Sequence, residues 1–457
     1  MKFYLINLHF SDSYSQTIAG PPLGAGYIMA ALDAQGIESR YYEFSFSNNV
    51  EKLIEDIKSF GPDLIGFSLR SHCYRESYKV IEQVSHLGIP IVLGGAHVNA
   101  MGARVLEESH ANFLIRGEGE ESLPKLLEHL QEPEKYTEVP GLMYRHNGSI
   151  CENEPEIADM ERIAFPDYRG FELERYSLPM RLLLSSRGCP YRCTFCQQAA
   201  LLGKKWRKRT PEDIIREMEY WGERGITHIN FADDNLTLDR KRIQELCRLI
   251  QKSRYRFYLE TSGVRIDNVD YDTLKMMKES GFYYLSFGVE SGNDRVLKEI
   301  RKGITVAQVH QTLKLVWKLG FDTKLYFIIN NRTETYEEVH DSFRLAREYP
   351  IVEVRFTNLF PYPGTYDYEW ILENGRLLYP PEEFLNNASE YWDKPIYDGP
   401  GMTHEQRVQV IEEAQYEVQR LGRRTWLDRM NKIVGLLKNG NFQVVGRKLA
   451  RAVRKNY

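Results

Sequence analysis

The chain of 457 residues contains no run of about 18 consecutive apolar residues, so it predicts no membrane-spanning helix. The N-terminal Met1-Lys2-Phe3-Tyr4-Leu5-Ile6-Asn7-Leu8 is briefly apolar but has no small-residue cleavage site, and reads as a first strand rather than a signal peptide. Cysteine is scarce: there are six, and half of them fall in one short stretch. That excludes a disulfide framework and predicts a reducing, cytoplasmic setting. A formal net charge of −4 excludes a molecule built as a whole for nucleic acid. No internal repeat and no low-complexity tract occurs. What the chain does have is ordinary globular composition, 42% apolar and 27% charged, with length for several domain-sized units. Its 29 tyrosines and 21 phenylalanines point to faces that stack on flat ligands.

Apolar periodicity divides the chain. Strands are expected at 2–8, 38–43, 63–68, 89–93 and 112–115, with helices near 22–35, 50–59, 76–87, 102–108 and 120–130. This alternation predicts an α/β, doubly wound, Rossmann-like parallel sheet over residues 1–135, binding its ligand beyond the carboxyl ends of the strands. Those ends carry Ser68-Leu69-Arg70-Ser71-His72 and Gly94-Gly95-Ala96-His97. Residues 136–180 change texture and read as a linker holding one hairpin around Asn147-Gly148. Alternation resumes over 181–365, with strands expected at 181–186, 227–232, 256–262, 282–288, 322–329 and 351–359, which predicts a partial (β/α)6 barrel. Thr210 and Pro211 read as the start of a helix reaching Arg224. Residues 366–457 read as mostly helical, with a basic tail from Arg420 onward.

One segment carries the chemistry. Ser186-Arg187-Gly188-Cys189-Pro190-Tyr191-Arg192-Cys193-Thr194-Phe195-Cys196 places three cysteines at C-x3-C-x2-C, directly after the first barrel strand. Three thiolates so spaced can hold three irons of a cubane cluster and leave the fourth iron open to a ligand. A structural zinc site is the alternative, but it usually needs four ligands, and no fourth Cys or His lies nearby in sequence.

This cysteine pattern, with aromatic Phe195 before its last member, resembles the signature of the radical S-adenosylmethionine (SAM) superfamily. The resemblance implies a [4Fe-4S] cluster on Cys189, Cys193 and Cys196. It also implies SAM bound at the open iron and cleaved by one electron to a 5′-deoxyadenosyl radical that abstracts hydrogen from substrate. It places SAM contacts at Phe195, at Asp233, Asp234 and Asn235 after the second strand, at Arg265 after the third, and at Glu290 in Phe287-Gly288-Val289-Glu290-Ser291-Gly292 after the fourth. Read without it, Phe195 is a core aromatic, Asp233-Asp234 a helix start and Arg265 a surface residue. The first unit resembles the cobalamin-binding module fused to such barrels, through Pro21-Pro22-Leu23-Gly24, Pro62 to Ser68, Gly94-Gly95-Ala96-His97 and Arg116-Gly117-Glu118-Gly119-Glu120. Ser68, Arg70, His72, Gly94, Gly95, His97 and Glu118 are the implied corrin contacts, the glycines admitting the nucleotide tail. Two departures stand out. No Asp-x-His-x-x-Gly lies between Leu8 and Gly20, and Arg70 stands where cobalamin mutases usually have an apolar residue. An empty, purely structural first domain is the alternative.

Asn330, Asn331 and Arg332 follow the fifth strand, where relatives usually have a Gly/Pro turn; they read either as contacts to a polar or anionic substrate or as a plain loop. Leu359 to Thr365 matches the family's Pro-Gly-Thr turn, with Tyr362 a candidate substrate contact. The resemblance implies methyl transfer from cobalamin to an unactivated carbon of a small molecule or natural product. The rivals are a radical dehydration, oxidation, epimerisation or rearrangement, and, in another class, an iron–sulfur electron carrier or redox sensor. A flavodoxin- or ferredoxin-type donor is implied, and Lys204-Lys205-Trp206-Arg207-Lys208-Arg209 reads as either its docking site or a plain surface run. The basic tail reads as a solvated helix face, a membrane-surface helix or a contact for an acidic partner or RNA.

Overall fold

The computed structural model describes residues 1–8, 20–176, 180–197 and 205–438, and no side chain of Ser389 or of 424–438. Most of the loop between Leu8 and Gly20, Lys204 and the basic tail past Lys438 lie outside the described residues.

The first sheet has seven strands in the order β2-β1-β3-β4-β5-β6-β7. They are β1 (Lys2–Asn7), β2 (Glu38–Glu43), β3 (Leu64–Ser68), β4 (Ile91–Gly94), β5 (Phe113–Ile115), β6 (Leu142–His146) and β7 (Ser149–Glu152). The first five pair in parallel. In β1, Phe3 and Leu5 enter one apolar layer while Tyr4 and Ile6 enter the other. A strand buried on both faces reads as a continuous apolar run, which is why this segment looks like a strand and not an amphipathic helix. The strand order reverses at β1, flanked by β2 and β3, so a ligand crevice opens beyond the carboxyl ends of β1, β3 and β4. The expected hairpin forms at Asn147-Gly148, but it is not part of a linker. β6 pairs antiparallel with β5, putting Met143 opposite Leu114, and the hairpin completes the first sheet.

The second sheet has six strands in the order β15-β14-β13-β12-β11-β8, all parallel. They are β8 (Arg181–Leu183), β11 (His228–Phe231), β12 (Tyr258–Thr261), β13 (Phe282–Glu290), β14 (Asp322–Ile329) and β15 (Glu353–Asn358). The strand expected at 181–186 stops early. Asp233 takes hydrogen bonds from the Ser185 amide at 3.1 Å and from the Ser185 hydroxyl at 2.6 Å, which bends the chain out of the sheet. The continuation, β9 (Ser186–Arg187), pairs antiparallel with β10 (Arg207–Lys208). Thr210 caps the helix Pro211–Glu223 through the Asp213 amide, as its sequence predicts.

Leu183, Ile229, Phe231, Leu259, Leu285, Phe287, Leu325 and Val354 pack against the surrounding helices in one core. The opposite, inner face of the curved sheet is polar: Asn230, Glu260, Tyr284, Ser286, Lys324, Tyr326 and Arg355 alternate with those core residues. After β15 come short elements and the long helix His404–Lys438, which packs Val410, Ile411 and Ala414 on Ile329, Val339 and Phe343. Among the described residues no helix is long and apolar enough to cross a membrane.

Candidate active site

Gly188 begins the cysteine loop with φ +83, and a Cβ there would lie 2.5 Å from the Lys205 carbonyl oxygen, so only glycine fits the turn. Its amide donates to Asp234 at 3.0 Å. Thr194 is pinned inside the loop, its amide donating to the Ile300 carbonyl at 3.0 Å and its carbonyl accepting from the Asp367 amide at 3.2 Å. Cys189, Cys193 and Cys196 are all free and half-buried. Burial pushes the Cys189 and Cys193 thiols up, and the neighbouring Cys196 raises both further; Arg265 opposes this at both and Lys302 at Cys193. A cubane takes one thiolate per iron rather than three thiolates on one ion. Among the described residues, no three Cys, His, Asp or Glu side chains close around a single metal-ion position.

The residues facing the cysteines come from two strand ends and from the turn between the helices Asp294–Glu299 and Val306–Lys318. Arg265 is buried, stacks 3.7 Å above the Tyr191 ring, donates to the Lys302 carbonyl and lies 2.8 Å from Asp267. Glu290 is buried and pairs with the Lys302 ammonium at 2.8 Å. Burial alone would pull the Lys302 pKa down, but Glu290 and the Cys193 thiol outweigh it and hold it above the usual lysine value. Glu290 has φ +71, a strained conformation for a side chain that is not glycine. The strain coincides with a β-bulge between Gly288 and Glu290, which turns the carboxylate back over Gly288. A Cβ on Gly288 would collide with that carboxylate and lie 3.2 Å from the Lys302 ammonium.

The aspartates after β11 separate into two roles. Asp233 is buried, engaged by Ser185 and Ser186, and absent from the cavity lining, so it shapes the loop. Asp234 stays open on the cavity side, while the protein around it pushes its pKa up by desolvation. Asn235 is buried, and its amide nitrogen has no partner among the described residues. Phe195 is half-buried against the barrel core and against Leu359, Ile371 and Tyr397. That packing supports the core reading and sets the ring at the loop.

A cavity of about 470 Å³ lies between the two sheets. Leu5, Gly66, Ser68, Gly94, Gly95 and Glu118 line it from the first domain; Leu184, Arg187, Gln197, Ala232 and Asp234 line it from the barrel. Gly95 has φ +102, and a Cβ there would sit 2.7 Å from the Leu69 carbonyl oxygen. The wall beside the cysteine loop is held by an ion-pair network. Arg207 grips Glu118 through two bonds of 2.7 Å, and Arg187 reaches Glu118 at 3.1 Å and Glu120 at 2.6 Å. Burial pushes the Glu118 carboxyl up, but the two guanidiniums outweigh it and hold it below the usual range.

The remaining expected contacts do not reach this cavity. His97 is buried between Tyr78, at 3.1 Å, and Ser71, at 3.3 Å, and stacks on Tyr74; burial pulls its pKa down to about 4. It is a neutral packing histidine. Arg70 and His72 do not line the cavity. Asn330, Asn331 and Arg332 are buried and engaged by protein partners. Asn330 donates to Asn358 at 3.0 Å, Asn331 binds Glu334, and Arg332 pairs with Asp367 at 2.6 Å beneath Tyr366 and Trp370. Tyr362 packs beside the Phe360–Phe384 cluster. The basic run after the loop is likewise mostly consumed: Arg207 binds Glu118, Lys208 binds Asp239 at 2.6 Å, and Arg209 is buried with Asp213 and Glu217.

Sequence reasoning missed Lys302, Arg187, Arg207 and Glu120. Arg187 stands two residues before Cys189, and Lys302 lies in a basic-glycine turn, but nothing local marks either as paired across domains or strands.

Fold and site together define an iron–sulfur barrel whose cysteine loop borders, at Arg187 and Gln197, a cavity that a corrin-type sheet lines from the other side. Comparison with known proteins agrees. The radical SAM superfamily model matches residues 183–346 and the B12 binding domain model matches residues 18–127. An uncharacterized methyltransferase of Pyrococcus horikoshii is 31% identical over 372 residues, covering 79% of this chain and 80% of its own. The cytidylyl-2-hydroxyethylphosphonate methyltransferase of Streptomyces wedmorensis is 26% identical, covering 83% and 82%. The structure of the radical SAM methyltransferase TsrM from Kitasatospora setae, with cobalamin and a [4Fe-4S] cluster bound, matches with TM-score 0.75 at 17% identity over 90% of each chain. The chain belongs to the radical SAM superfamily, with an N-terminal cobalamin-binding domain.

Proposed function

We propose that this protein is a cobalamin-dependent radical SAM methyltransferase acting on a small-molecule substrate. The observation that carries the reading is the shared cavity: Ser68, Gly94 and Gly95 at the carboxyl ends of the first sheet and Asp234 beside the cysteine loop open onto the same space. The relatives just described, named methyltransferases in both cases, support the same outcome.

The residues fit the cofactors they would hold. Cys189, Cys193 and Cys196 offer three thiols on one short loop; burial holds Cys189 and Cys193 up, while Arg265 beside both and Lys302 beside Cys193 pull the other way, toward the metal-binding thiolate. Glu290, fixed by Lys302, offers one acceptor oxygen at a set position for a ribose hydroxyl; Arg265 offers a cation for the methionyl carboxylate. The apolar depth of the cavity, floored by Phe3, Leu5 and Gly66 and kept open by Gly95, suits the flat base of a nucleotide tail. When bound, the cluster and SAM supply a hydrogen-abstracting radical and cobalamin supplies the methyl group. The protein's own part is to exclude water, hold both sites to one geometry through the Arg187 and Arg207 pairs, and bury the charges that orient SAM.

Two finer readings belong to the same proposal. The oxidant-sensitive cysteine loop supports a reducing, cytoplasmic setting. An acidic flavodoxin- or ferredoxin-type donor approaches near the exposed Lys205, and the basic tail is the segment available for a membrane-surface contact. A second reading, a non-methylating radical dehydration, oxidation, epimerisation or rearrangement with the first domain empty, has support in the anaerobic magnesium-protoporphyrin IX monomethyl ester cyclase of Cereibacter sphaeroides, 27% identical over 374 residues, whose name is not that of a methyltransferase. Anaerobic reconstitution separates them. The methyltransferase reading requires a bound-corrin visible spectrum and formation of both S-adenosylhomocysteine and 5′-deoxyadenosine. 5′-Deoxyadenosine from a corrin-free protein supports the second reading.

A further inference from the structure

The inner face of the barrel sheet carries an unassigned row of side chains that runs straight to the Glu290–Lys302 pair. Gly288 on β13, Tyr326 on β14 and Arg355 on β15 are in register, Gly288 opposite Tyr326 and Tyr326 opposite Arg355. The Glu290 carboxylate and the Lys302 ammonium lie over Gly288. Arg355 therefore stands two strands from that pair, roughly 10 Å across the sheet, with the half-buried Tyr326 ring between them. Strand alternation puts Ser286, Lys324, Thr357 and Arg355 on this same face, because Phe287, Leu325, Val354 and Phe356 occupy the core face.

Among the described residues, one carboxylate serves two cations in this row. Glu353 is shared between Lys324, at 2.6 Å, and Arg355, at 3.3 Å, and also accepts from Tyr284 at 3.1 Å. Two cations thus meet one carboxylate. Lys324 is buried, so the surplus charge is presented by Arg355, whose side chain is 57% exposed. At the far end of the face Glu260 faces His228, not Arg355. By contrast, the guanidinium expected from sequence to meet the substrate, Arg332, is closed off by Asp367.

We infer that this face is the substrate site and that the substrate carries an anionic group, a carboxylate or a phosphoryl group, held by Arg355. Its body lies over Tyr326 with its reacting end toward Glu290 and Lys302. A guanidinium on the rim recognises either anion through paired N–H donors, and an aromatic ring beside it accepts a flat or apolar body. The inference rests on the methyltransferase reading for what happens to the substrate, but not for the existence of the site.

The test is a calorimetric titration of the reconstituted holoenzyme with phenyl phosphate, benzoate and, as the uncharged control, phenol. The site predicts binding of phenyl phosphate or benzoate and none comparable for phenol; which anion binds tighter identifies the group. Arg355→Gln weakens the anion by about tenfold or more, and Arg355→Lys restores part of the loss. Because Arg355 is exposed, these variants keep the cluster and corrin spectra of the parent. Equal binding of phenol, or unchanged anion affinity in Arg355→Gln, overturns the inference. Failure of the methyltransferase reading appears separately, as loss of the corrin spectrum or of SAM cleavage in the unsubstituted protein.

Discussion

Glu334 gives the sharpest quantitative prediction. It is 1% exposed, and its Oε2 accepts from the Asn331 amide at 3.0 Å and from the Asn331 side chain at 3.1 Å. Its Oε1 is buried without a partner among the described residues. Burial pushes its pKa up to about 7, against the two Asn331 bonds that pull it down. A carboxyl whose folded pKa lies above its unfolded value stabilises the fold fully below the unfolded pKa, and that contribution is lost as pH rises through the folded pKa. The window runs from about pH 4.5 to about 7, and the loss across it is about 3 kcal/mol at 1.36 kcal/mol per unit. Glu334→Gln keeps an oxygen for Asn331 and cannot ionise. It should therefore match the parent at pH 5 and exceed it at pH 8 by about 3 kcal/mol, or about 6–10 °C in melting temperature for a unit of this size. Thermal melts of both proteins at the two pH values test it. A variant that loses stability equally at both, or a parent that tracks the variant from pH 5 to 8, refutes the burial argument.

Gly288→Ala should displace the Glu290–Lys302 pair and weaken SAM binding by about tenfold or more, the worth of one hydrogen bond to a charged group, as read by equilibrium dialysis with the fold intact by circular dichroism. Gly95→Ala, forced into φ +102 against the Leu69 carbonyl, should cost about 1–3 kcal/mol and abolish corrin retention while leaving the iron content unchanged. Cys193→Ala should lose the cluster's visible absorption and all SAM cleavage yet still retain corrin, because Cys193 does not line the cavity.

How much of this could be read from the chain depends on the range of the interaction. The parallel strands of both sheets were legible from their alternation with helices, and so was the cap at Thr210, but not that the hairpin at Asn147-Gly148 joins the first sheet. The cluster loop was legible because its thiols lie within one turn of sequence. The bend at Ser185 was not, since Asp233, 48 residues away, imposes it. Nor was the fate of Asn330 to Arg332. Asn330 takes φ +61, Glu334 folds back on Asn331, and Tyr397, 67 residues later, donates to the Asn330 carbonyl at 2.8 Å, so a strand end expected to face substrate becomes interior. The Arg355 row depends on the register between β14 and β15, which no residue in either strand announces. Lys302 and Arg187 acquire meaning only through partners on other elements.

The central claim is that one cavity serves corrin and radical chemistry together. The measurement that tests it most directly is the fate of SAM in the anaerobically reconstituted, cobalamin-loaded protein under reductant, with S-adenosylhomocysteine and 5′-deoxyadenosine quantified in the same sample. The account predicts both products, and loss of the first alone in Gly95→Ala. Formation of 5′-deoxyadenosine alone, unchanged by cobalamin or by that substitution, contradicts it.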